Sequence, residues 1–324
     1  MVNRQLGTTQ AIRTQKKMAQ ADTPLILPVD FGLLAGIPLM AVTSWLLPVA
    51  AWEKLAYASA PYVAGAIPCS QEDLIRVMEK TVGNRPMAMS AKEAARRLIA
   101  SEIVKNFQFT RDHLPGRWHP QITIDGQEHI DKGLETGKGV ILWDSHFYFA
   151  SLMTKIAMFK AGHRLIHLSR PQHGFSPSRF AKKVLNPIRI KCEERYIAER
   201  VVLAPDNPIS ALRTLGIFLK QNAVVSITVR ATGIRPVDAP FMDNTYPIAT
   251  GAPDLAYKYG ATLLPVFTQR EDDGGYRVVV DRPLGLQIGS DRKKATKLAV
   301  HEYARRLEHH VLCHPEQWVD WYNI

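Results

Sequence analysis

The sequence predicts an α/β fold with a mostly parallel central sheet, helices on both faces of that sheet, and an N-terminal helical membrane-associated segment. Two observations support this fold class. From about residue 139 onward, short apolar strand-like segments alternate with helix-like segments, as in sheets that are covered on both faces. Before them lies an uncharged segment of 22 residues, 31–52.

The chain length suits one large α/β domain or two small ones. It has 324 residues, of which 46% are hydrophobic, enough for a substantial core. We predict three parts: a basic leader at 1–24, a hydrophobic helical segment at 25–60 that anchors the protein to a membrane, and an α/β domain at 61–324.

The apolar segment 31–52 is long enough to cross a bilayer, which needs about 20 residues. Pro38 and Pro48 interrupt it. Three interpretations stay open: a membrane anchor that spans or lies in one leaflet, a buried helical hairpin, and a cleaved signal. The leader has four basic residues and no acid in its first 20 positions, which favours a cytoplasmic N-terminus.

The regular elements follow from periodicity and capping. "SAKEAARRLIASEIVKNFQF" opens with a capping box, Ser90 and Glu93, and predicts an amphipathic helix. The predicted strands are 139–145, 163–169, 223–229, 261–267 and 276–281. The predicted helices are 147–160, 176–186, 208–221, 250–259 and 291–312. "DDGGY", at 272–276, predicts a hairpin turn.

The formal net charge of +11 and the pI of about 9.6 indicate a polyanionic partner. Nucleic acid is disfavoured because the basic residues are dispersed and no nucleic-acid-binding motif is present. No phosphate-binding glycine loop occurs. The three cysteines are far apart and have no metal-ligand spacing, so we predict no metal site and no cofactor.

"GVILWDSHFYFASLMTKIAMF", at 139–159, contains the main catalytic candidate. His146 follows a predicted strand and precedes a predicted helix, where α/β enzymes often place catalytic groups. Asp144 lies two residues earlier, on the same face while the strand continues, although it could equally cap the helix or lie on the surface. Ser151 stands five residues after His146.

Four segments resemble the late acyltransferases of lipid A biosynthesis, in the lysophospholipid acyltransferase superfamily. They are "GKGVILWDSHF", "HLSRP", "APFMDNTYPIATGAPDLAYKYGATLLPVF" and "HPEQWVDWY". The resemblance extends over roughly residues 35–322. It implies that a histidine deprotonates an acceptor hydroxyl, which then attacks the thioester of acyl carrier protein or coenzyme A.

Carried onto this chain, the resemblance makes His146 the base. Family members place Asp or Glu five residues later to orient the histidine, whereas this chain has Ser151. A serine can hydrogen-bond an imidazole but cannot balance its positive charge. We therefore expect Asp144 or another nearby carboxylate to replace the missing acid. The alternative is a catalytically degenerate homologue that binds a lipid or acyl chain as a partner subunit.

Four further residues are substrate-binding candidates beside the same resemblance, and Arg230 is a fifth, at a position where the family usually has an acid. Arg170 and Arg230 would bind an anionic group, although each could be a surface or ion-paired arginine. Thr250 and Gly251 open a helix whose N-terminus could hold a phosphate or an oxyanion, and capping would explain the threonine equally well. Phe241 could line an acyl tunnel or belong to the core.

The sequence thus predicts a membrane-associated acyltransferase at the cytoplasmic face of the bacterial inner membrane. The donor is an acyl thioester of acyl carrier protein or coenzyme A. The acceptor is a hydroxyl or amine of a membrane lipid or lipid-like molecule. We predict no nucleic-acid partner.

Overall fold

The computed structural model describes residues 24–63, 70–170, 176, 178–203, 207–229, 236–286, 289 and 291–324. The helices in these ranges are α1 Pro28–Leu46, α2 Val49–Val63, α3 Gln71–Val82, α4 Ala91–His113, α5 Gln127–Glu135, α6 Ala150–Lys160, α7 Arg179–Lys183, α8 Asn186–Glu194, α9 Pro208–Lys220, α10 Gly251–Tyr259 and α11 Arg292–Cys313. The strands are β1 Ile122–Asp125, β2 Val140–Asp144, β3 Leu165–Ser169, β4 Ile197–Val202, β5 Val224–Thr228, β6 Pro236–Phe241, β7 Asn244–Ala249, β8 Thr262–Arg270 and β9 Tyr276–Val280. Two 3₁₀ turns, Pro315–Gln317 and Val319–Asn323, end the chain.

The central sheet has seven strands in the order β1-β9-β8-β2-β5-β3-β4. Neighbouring strands are parallel except β8 and β9, which form the antiparallel hairpin that "DDGGY" predicts. The predicted fold class, a mostly parallel sheet surrounded by helices, is confirmed. All five predicted strands are present, with bounds shifted by up to three residues.

The sequence analysis missed both edge strands of this sheet. In β1 no residue is fully buried, and in β4 only Ile197 and Val201 are. Edge strands face solvent on part of their surface, so they lack the continuous apolar run that marks a central strand. It also missed the β6–β7 hairpin, a separate two-stranded sheet that packs against α11.

Alternate side chains of the central strands enter two apolar clusters, one on each face of the sheet. Val140 and Leu142 pack with α5 and α6 on one face. Ile141 and Trp143 face the other way, toward the apolar side chains of α9, α10 and α11. The core therefore lies on both sides of β2, and it fixes the point at which the chain leaves the sheet toward His146.

The apolar N-terminal segment forms two helices, with a break at Pro48. Proline lacks a backbone N–H and so favours such a break. Trp52, on α2, is buried and stacks on Phe107 of α4 with the ring centres 5.9 Å apart. Among the described residues, α1 alone combines the length and mean hydropathy of a membrane-spanning helix.

A buried ion pair connects α6, the helix after His146, to α8. Lys155 Nζ lies 2.9 Å from Glu193 Oε2, and each side chain is only 4% exposed. The lysine also donates to the carbonyl of Ser151. Such a pair contributes little net stability compared with apolar residues, but removing one partner leaves an uncompensated buried charge.

Replacing Lys155 by methionine is therefore expected to lower the free energy of unfolding by about 3–5 kcal/mol. The double variant Lys155→Met/Glu193→Met should recover part of that loss because it removes both charges of the pair, while Arg189, 3.5 Å from Glu193, loses a partner. The matched control is Arg76→Met, which removes an ion pair with Asp73 whose two side chains are 74% and 48% exposed. We expect the control to change stability by about 1 kcal/mol or less. Chemical denaturation followed by tryptophan fluorescence measures all three, and a double variant no better than Lys155→Met would contradict this account.

Candidate active site

The candidate site lies at the carboxyl-end edge of the central sheet. β2, β3 and β5 are neighbouring parallel strands, so the residues that follow them meet at one edge. His146 follows β2, Arg170 follows β3, and Val229 follows β5. Ligands of open α/β sheets usually bind outside this edge, where the strand order reverses.

His146 is hydrogen-bonded to a carboxylate, and that carboxylate is Asp320. Nδ1 of His146 lies 2.7 Å from Oδ1 of Asp320, 174 positions later in the chain. Asp320 has a side chain 1% exposed, whereas that of His146 is 18% exposed. An ionised carboxylate can only accept, so Nδ1–H is the donor and Nε2 keeps a lone pair. Nε2 makes no hydrogen bond to any residue that the structure describes.

Backbone pairing brings these two residues together. The loop after β2 forms an isolated antiparallel bridge with the C-terminal turns, at Phe147 and Trp318. The N–H of Val319 donates to the carbonyl of His146 at 2.9 Å. The N–H of Tyr148 donates to the carbonyl of Gln317, also at 2.9 Å. These backbone hydrogen bonds therefore fix the position of the turn that contains Asp320 relative to His146.

Asp320 accepts two further hydrogen bonds that offset the cost of burying its charge. The hydroxyl of Tyr246 donates to Oδ2. The amide of Asn323 donates to Oδ1 at 2.9 Å. Sequence reasoning did not single out Asp320 or Asn323, although Asp320 lies inside "HPEQWVDWY" as an acid among aromatic residues. That acid, one of two in the segment with Glu316, was the available signal.

An aromatic cluster supports this carboxylate. Phe241 and Tyr246, from the β6–β7 hairpin, are fully buried and pack on Trp318, with ring centres 5.1 and 5.3 Å away. Trp318 in turn contacts Trp321 edge to face. Phe241 thus lies in the core beside Asp320, and Thr250 follows the same hairpin.

The structure does not join Asp144 to His146. β2 ends at Asp144. The Oδ2 atom of Asp144 accepts a hydrogen bond from the hydroxyl of Ser226 on β5. Ser226 Oγ lies 3.1 Å from Nδ1 of His167 on β3. Asp144 is 5% exposed, and this burial raises its pKa from the ordinary value of 3.8 to about 7, against the opposing effects of Ser226 and Lys155.

Ser151 is likewise not joined to His146. Its hydroxyl is buried and has no partner among the described residues, while its carbonyl accepts from Lys155. The position five residues after the histidine therefore supplies no group to the imidazole. The carboxylate comes instead from the end of the chain.

The remaining candidates that the structure describes are Arg170, Thr250 and Gly251. Arg170 is exposed, and its carbonyl accepts from Arg200 at 3.2 Å. Thr250 is 7% exposed, and its hydroxyl donates to Asp254 at 2.9 Å. Gly251 begins α10 with open space where a Cβ would project. The candidate Arg230 lies outside the described residues.

A cleft of about 410 Å³ borders the loop after β2 on the side of α2 and α4. Phe149 and Gln317 form part of its wall, together with charged residues such as Glu53, Arg97 and Arg270. A fatty acyl chain needs an apolar lining, so this cleft is unsuited to one. No group of three or more residues suited to bind a metal occurs in the described part of the chain.

Comparison with protein families places this geometry in a known context. The sequence model of the family described as bacterial lipid A biosynthesis acyltransferase matches residues 72–322. The match includes β2 with His146, the β6–β7 hairpin and Asp320. A search of curated proteins finds no match to the chain.

The raised pKa of Asp144 predicts a pH-dependent stability. Between pH 3.8 and about 7 the folded chain holds this proton and the unfolded chain releases it, so stability falls as pH rises through that window. The full loss in the free energy of unfolding across this window is roughly 4 kcal/mol. Asp144→Asn should therefore be more stable than the wild type at pH 8, with the advantage shrinking toward pH 4.5. Asp73→Asn, at an exposed site, is the control and should show no such trend. Equal pH dependence in both variants would contradict the assignment.

Proposed function

The chain belongs to the bacterial lipid A biosynthesis acyltransferase family and is an acyltransferase, and from this premise we propose its reaction and location. It moves a fatty acyl group from a thioester donor to a hydroxyl or amine of a lipid-like acceptor. The reaction takes place at the cytoplasmic face of the bacterial inner membrane. His146 is the general base and Asp320 is the group that orients it.

One observation carries this proposal: the 2.7 Å contact between Nδ1 of His146 and Oδ1 of Asp320. A base needs a fixed tautomer, a lone pair on the reacting nitrogen and a partner that stabilises the imidazolium. Asp320 fixes the tautomer and stabilises the imidazolium. The burial of Asp320 and its three hydrogen bonds hold the carboxylate and the imidazole in one arrangement.

In this reaction His146 transfers one proton from the acceptor hydroxyl to the leaving thiolate. Nε2 of His146 takes the proton of the acceptor hydroxyl as the oxygen attacks the thioester carbonyl carbon. A C–O bond forms, and the former carbonyl oxygen becomes negative. Collapse of this intermediate breaks the C–S bond, and the leaving thiolate takes the proton from the imidazolium. The products are an ester and a free thiol, with His146 again neutral.

Asp320 replaces the acid that the resemblance leads one to expect at position 151. A serine at 151 cannot balance an imidazolium charge, and in serine proteases loss of the orienting acid lowers kcat by about 10⁴. A carboxylate on Nδ1 serves the same purpose from any place in the chain, because only its position relative to the ring matters. This supports an active enzyme over the binding-only alternative.

The start of α10 is our candidate for stabilising the negative oxygen. Gly251 and Ala252 are the first two residues of the helix, and their N–H groups have no acceptor within it. The open space at Gly251 would let a substrate approach the backbone. Thr250 would hold the helix start through Asp254. We assign Phe241 to the support of Asp320, because it packs on Trp318.

The donor and acceptor are proposed from charge. Arg170 and Arg230 would bind the phosphate or carboxylate of an anionic substrate. The net charge of +11 favours acyl carrier protein as donor, since that carrier has an acidic surface. The apolar helix α1 supports attachment to the membrane where the acceptor resides.

Substitution of the pair tests the mechanism. We expect His146→Ala to lower acyl transfer by about 10²–10⁴, the usual contribution of a positioned base. Asp320→Asn should lower kcat by about 10³–10⁴ because it favours the wrong tautomer. Tyr246→Phe removes one donor to Asp320 and should cost about tenfold.

The matched controls are Asp144→Asn and Ser151→Ala, which change polar groups that the structure does not join to His146. Both should stay within about threefold of the wild type. The measurement is transfer of labelled acyl groups from acyl carrier protein into lipid extracts, with product identified by mass spectrometry. Wild-type product from His146→Ala would exclude the base role and favour the binding-only alternative.

The donor can be distinguished by its salt dependence. Exposed charges are screened over about 8 Å at physiological ionic strength. If acyl carrier protein is the donor, its KM should rise at least tenfold between dilute buffer and half-molar salt, with kcat nearly constant. A KM for acyl carrier protein that does not change with salt, together with turnover of acyl-coenzyme A, would exclude the carrier as the preferred donor.

A further inference from the structure

Helix α1 presents an apolar surface to solvent over its entire length. Its only charged residue, Asp30, is buried. Seven large apolar side chains of the helix are between 44% and 73% exposed: Val29, Phe31, Leu34, Leu39, Val42, Trp45 and Leu46. A surface of this extent needs a partner, because soluble proteins rarely leave a large contiguous apolar patch in water.

The opposite face of α1 contacts the domain from its first turn to its last. Asp30, Leu33, Ile37, Met40 and Ser44 are buried or half-buried. They recur every three or four residues, the spacing of one helix face. This face packs mainly against α4. The helix therefore lies flat along the domain and does not project away from it.

The N-terminal end of α1 is fastened to α7 by backbone hydrogen bonds. The N–H of Arg179 donates to the carbonyl of Pro24 at 3.2 Å, and the N–H of Phe180 donates to Leu25 at 2.9 Å. These bonds hold the residues that enter α1 against the α/β domain.

The C-terminal end of α1 is fastened to the same domain. The ring nitrogen of Trp52, a buried residue, donates to the carbonyl of Leu47 at 3.1 Å. The guanidinium of Arg111, near the end of α4, lies 5.9 Å from the ring centre of Trp45. Both ends of the helix are thus attached to one rigid surface.

A membrane-spanning α1 would conflict with these attachments. Its ends would lie on opposite sides of the bilayer, so α4 would have to enter the hydrocarbon region alongside it. Charged side chains of α4 such as Arg97 and Glu102 would then enter the bilayer, which strongly disfavours charge. A helix lying in the plane of one leaflet embeds its exposed apolar face and leaves α4 in water.

Basic residues adjoin the fastened end of this surface. Arg179, Lys182 and Lys183, all on α7, are exposed. The leader adds Arg4, Arg13, Lys16 and Lys17 just before α1. Anionic lipid headgroups would neutralise these charges while the acyl chains cover α1.

We propose that α1 lies in the plane of an anionic bilayer, with its apolar face in the cytoplasmic leaflet and the basic residues of α7 on the headgroups. This inference rests on the membrane association proposed above and adds its geometry: the protein enters one leaflet and does not cross. The partner is the lipid surface itself.

Cysteine labelling in cells tests the geometry. The full-length protein carries one introduced cysteine, at Gln20→Cys or Lys54→Cys, with Cys69 and Cys313 changed to serine and the buried Cys192 kept. A membrane-impermeant maleimide should label both positions in inverted membrane vesicles and neither in intact spheroplasts. A third variant, Lys293→Cys on α11, reports on which side of the membrane the α/β domain lies. Labelling of positions 20 and 54 from opposite sides would show that α1 spans, and would overturn the proposal.

Vesicle binding tests the partner. We expect the purified full-length protein to float with phosphatidylglycerol vesicles more strongly than with phosphatidylcholine vesicles. Lys182→Gln/Lys183→Gln should weaken binding to the anionic vesicles on the order of tenfold at low salt. The matched control is Lys293→Gln/Lys294→Gln, two exposed lysines on α11, and it should bind like the wild type.

The outcomes separate the two proposals. Equal effects of the two lysine pairs would overturn the role of α7. Binding to neither kind of vesicle would contradict the proposed membrane association itself. Acyl transfer to a soluble acceptor would still report on His146 in that case, because this activity does not need the bilayer.

Discussion

The pairing of the loop after β2 with the C-terminal turns is the constraint on which the candidate site depends. Phe147 and Trp318 form the bridge, and backbone bonds on either side of it fix the register. Asp320 lies in the turn that follows this bridge, so a slip of one residue in the pairing would move the carboxylate relative to the ring. The same pairing explains why Trp318 is buried: its ring closes the aromatic cluster under Asp320.

Two buried carboxylates near one histidine have different environments, and those environments separate their roles. Asp320 accepts from His146, Tyr246 and Asn323. Asp144 accepts from Ser226, its second oxygen has no partner among the described residues, and its pKa is raised to about 7. Several donors favour a charged carboxylate, whereas burial with one donor favours a neutral one. Asp320 is therefore suited to stabilise an imidazolium, and Asp144 is suited to connect three strands at the sheet edge.

The two N-terminal helices differ in where their apolar side chains lie. α2 turns Trp52 into the core beside α4, while α1 exposes most of its large apolar side chains. Because α1 is held at both ends, its exposed face has a fixed direction relative to the domain. A membrane bound to that face would set the orientation of the whole molecule, and with it the orientation of the sheet edge that carries His146.

The sequence by itself determined the central strands, most helices and the position of His146 at the end of β2, because these depend on local periodicity and on residues adjacent in the chain. It did not determine β1 and β4, whose exposed positions break the apolar pattern. It identified Pro38 and Pro48 as interruptions, but not that Pro38 lies inside α1 while the helix ends before Pro48. It placed Asp144 beside His146 by strand alternation, but the strand ends at Asp144 and the alternation ends with it. The partner of His146 was decided by tertiary structure alone: Asp320 is 174 positions away, and only the folded sheet and its aromatic cluster bring the two together.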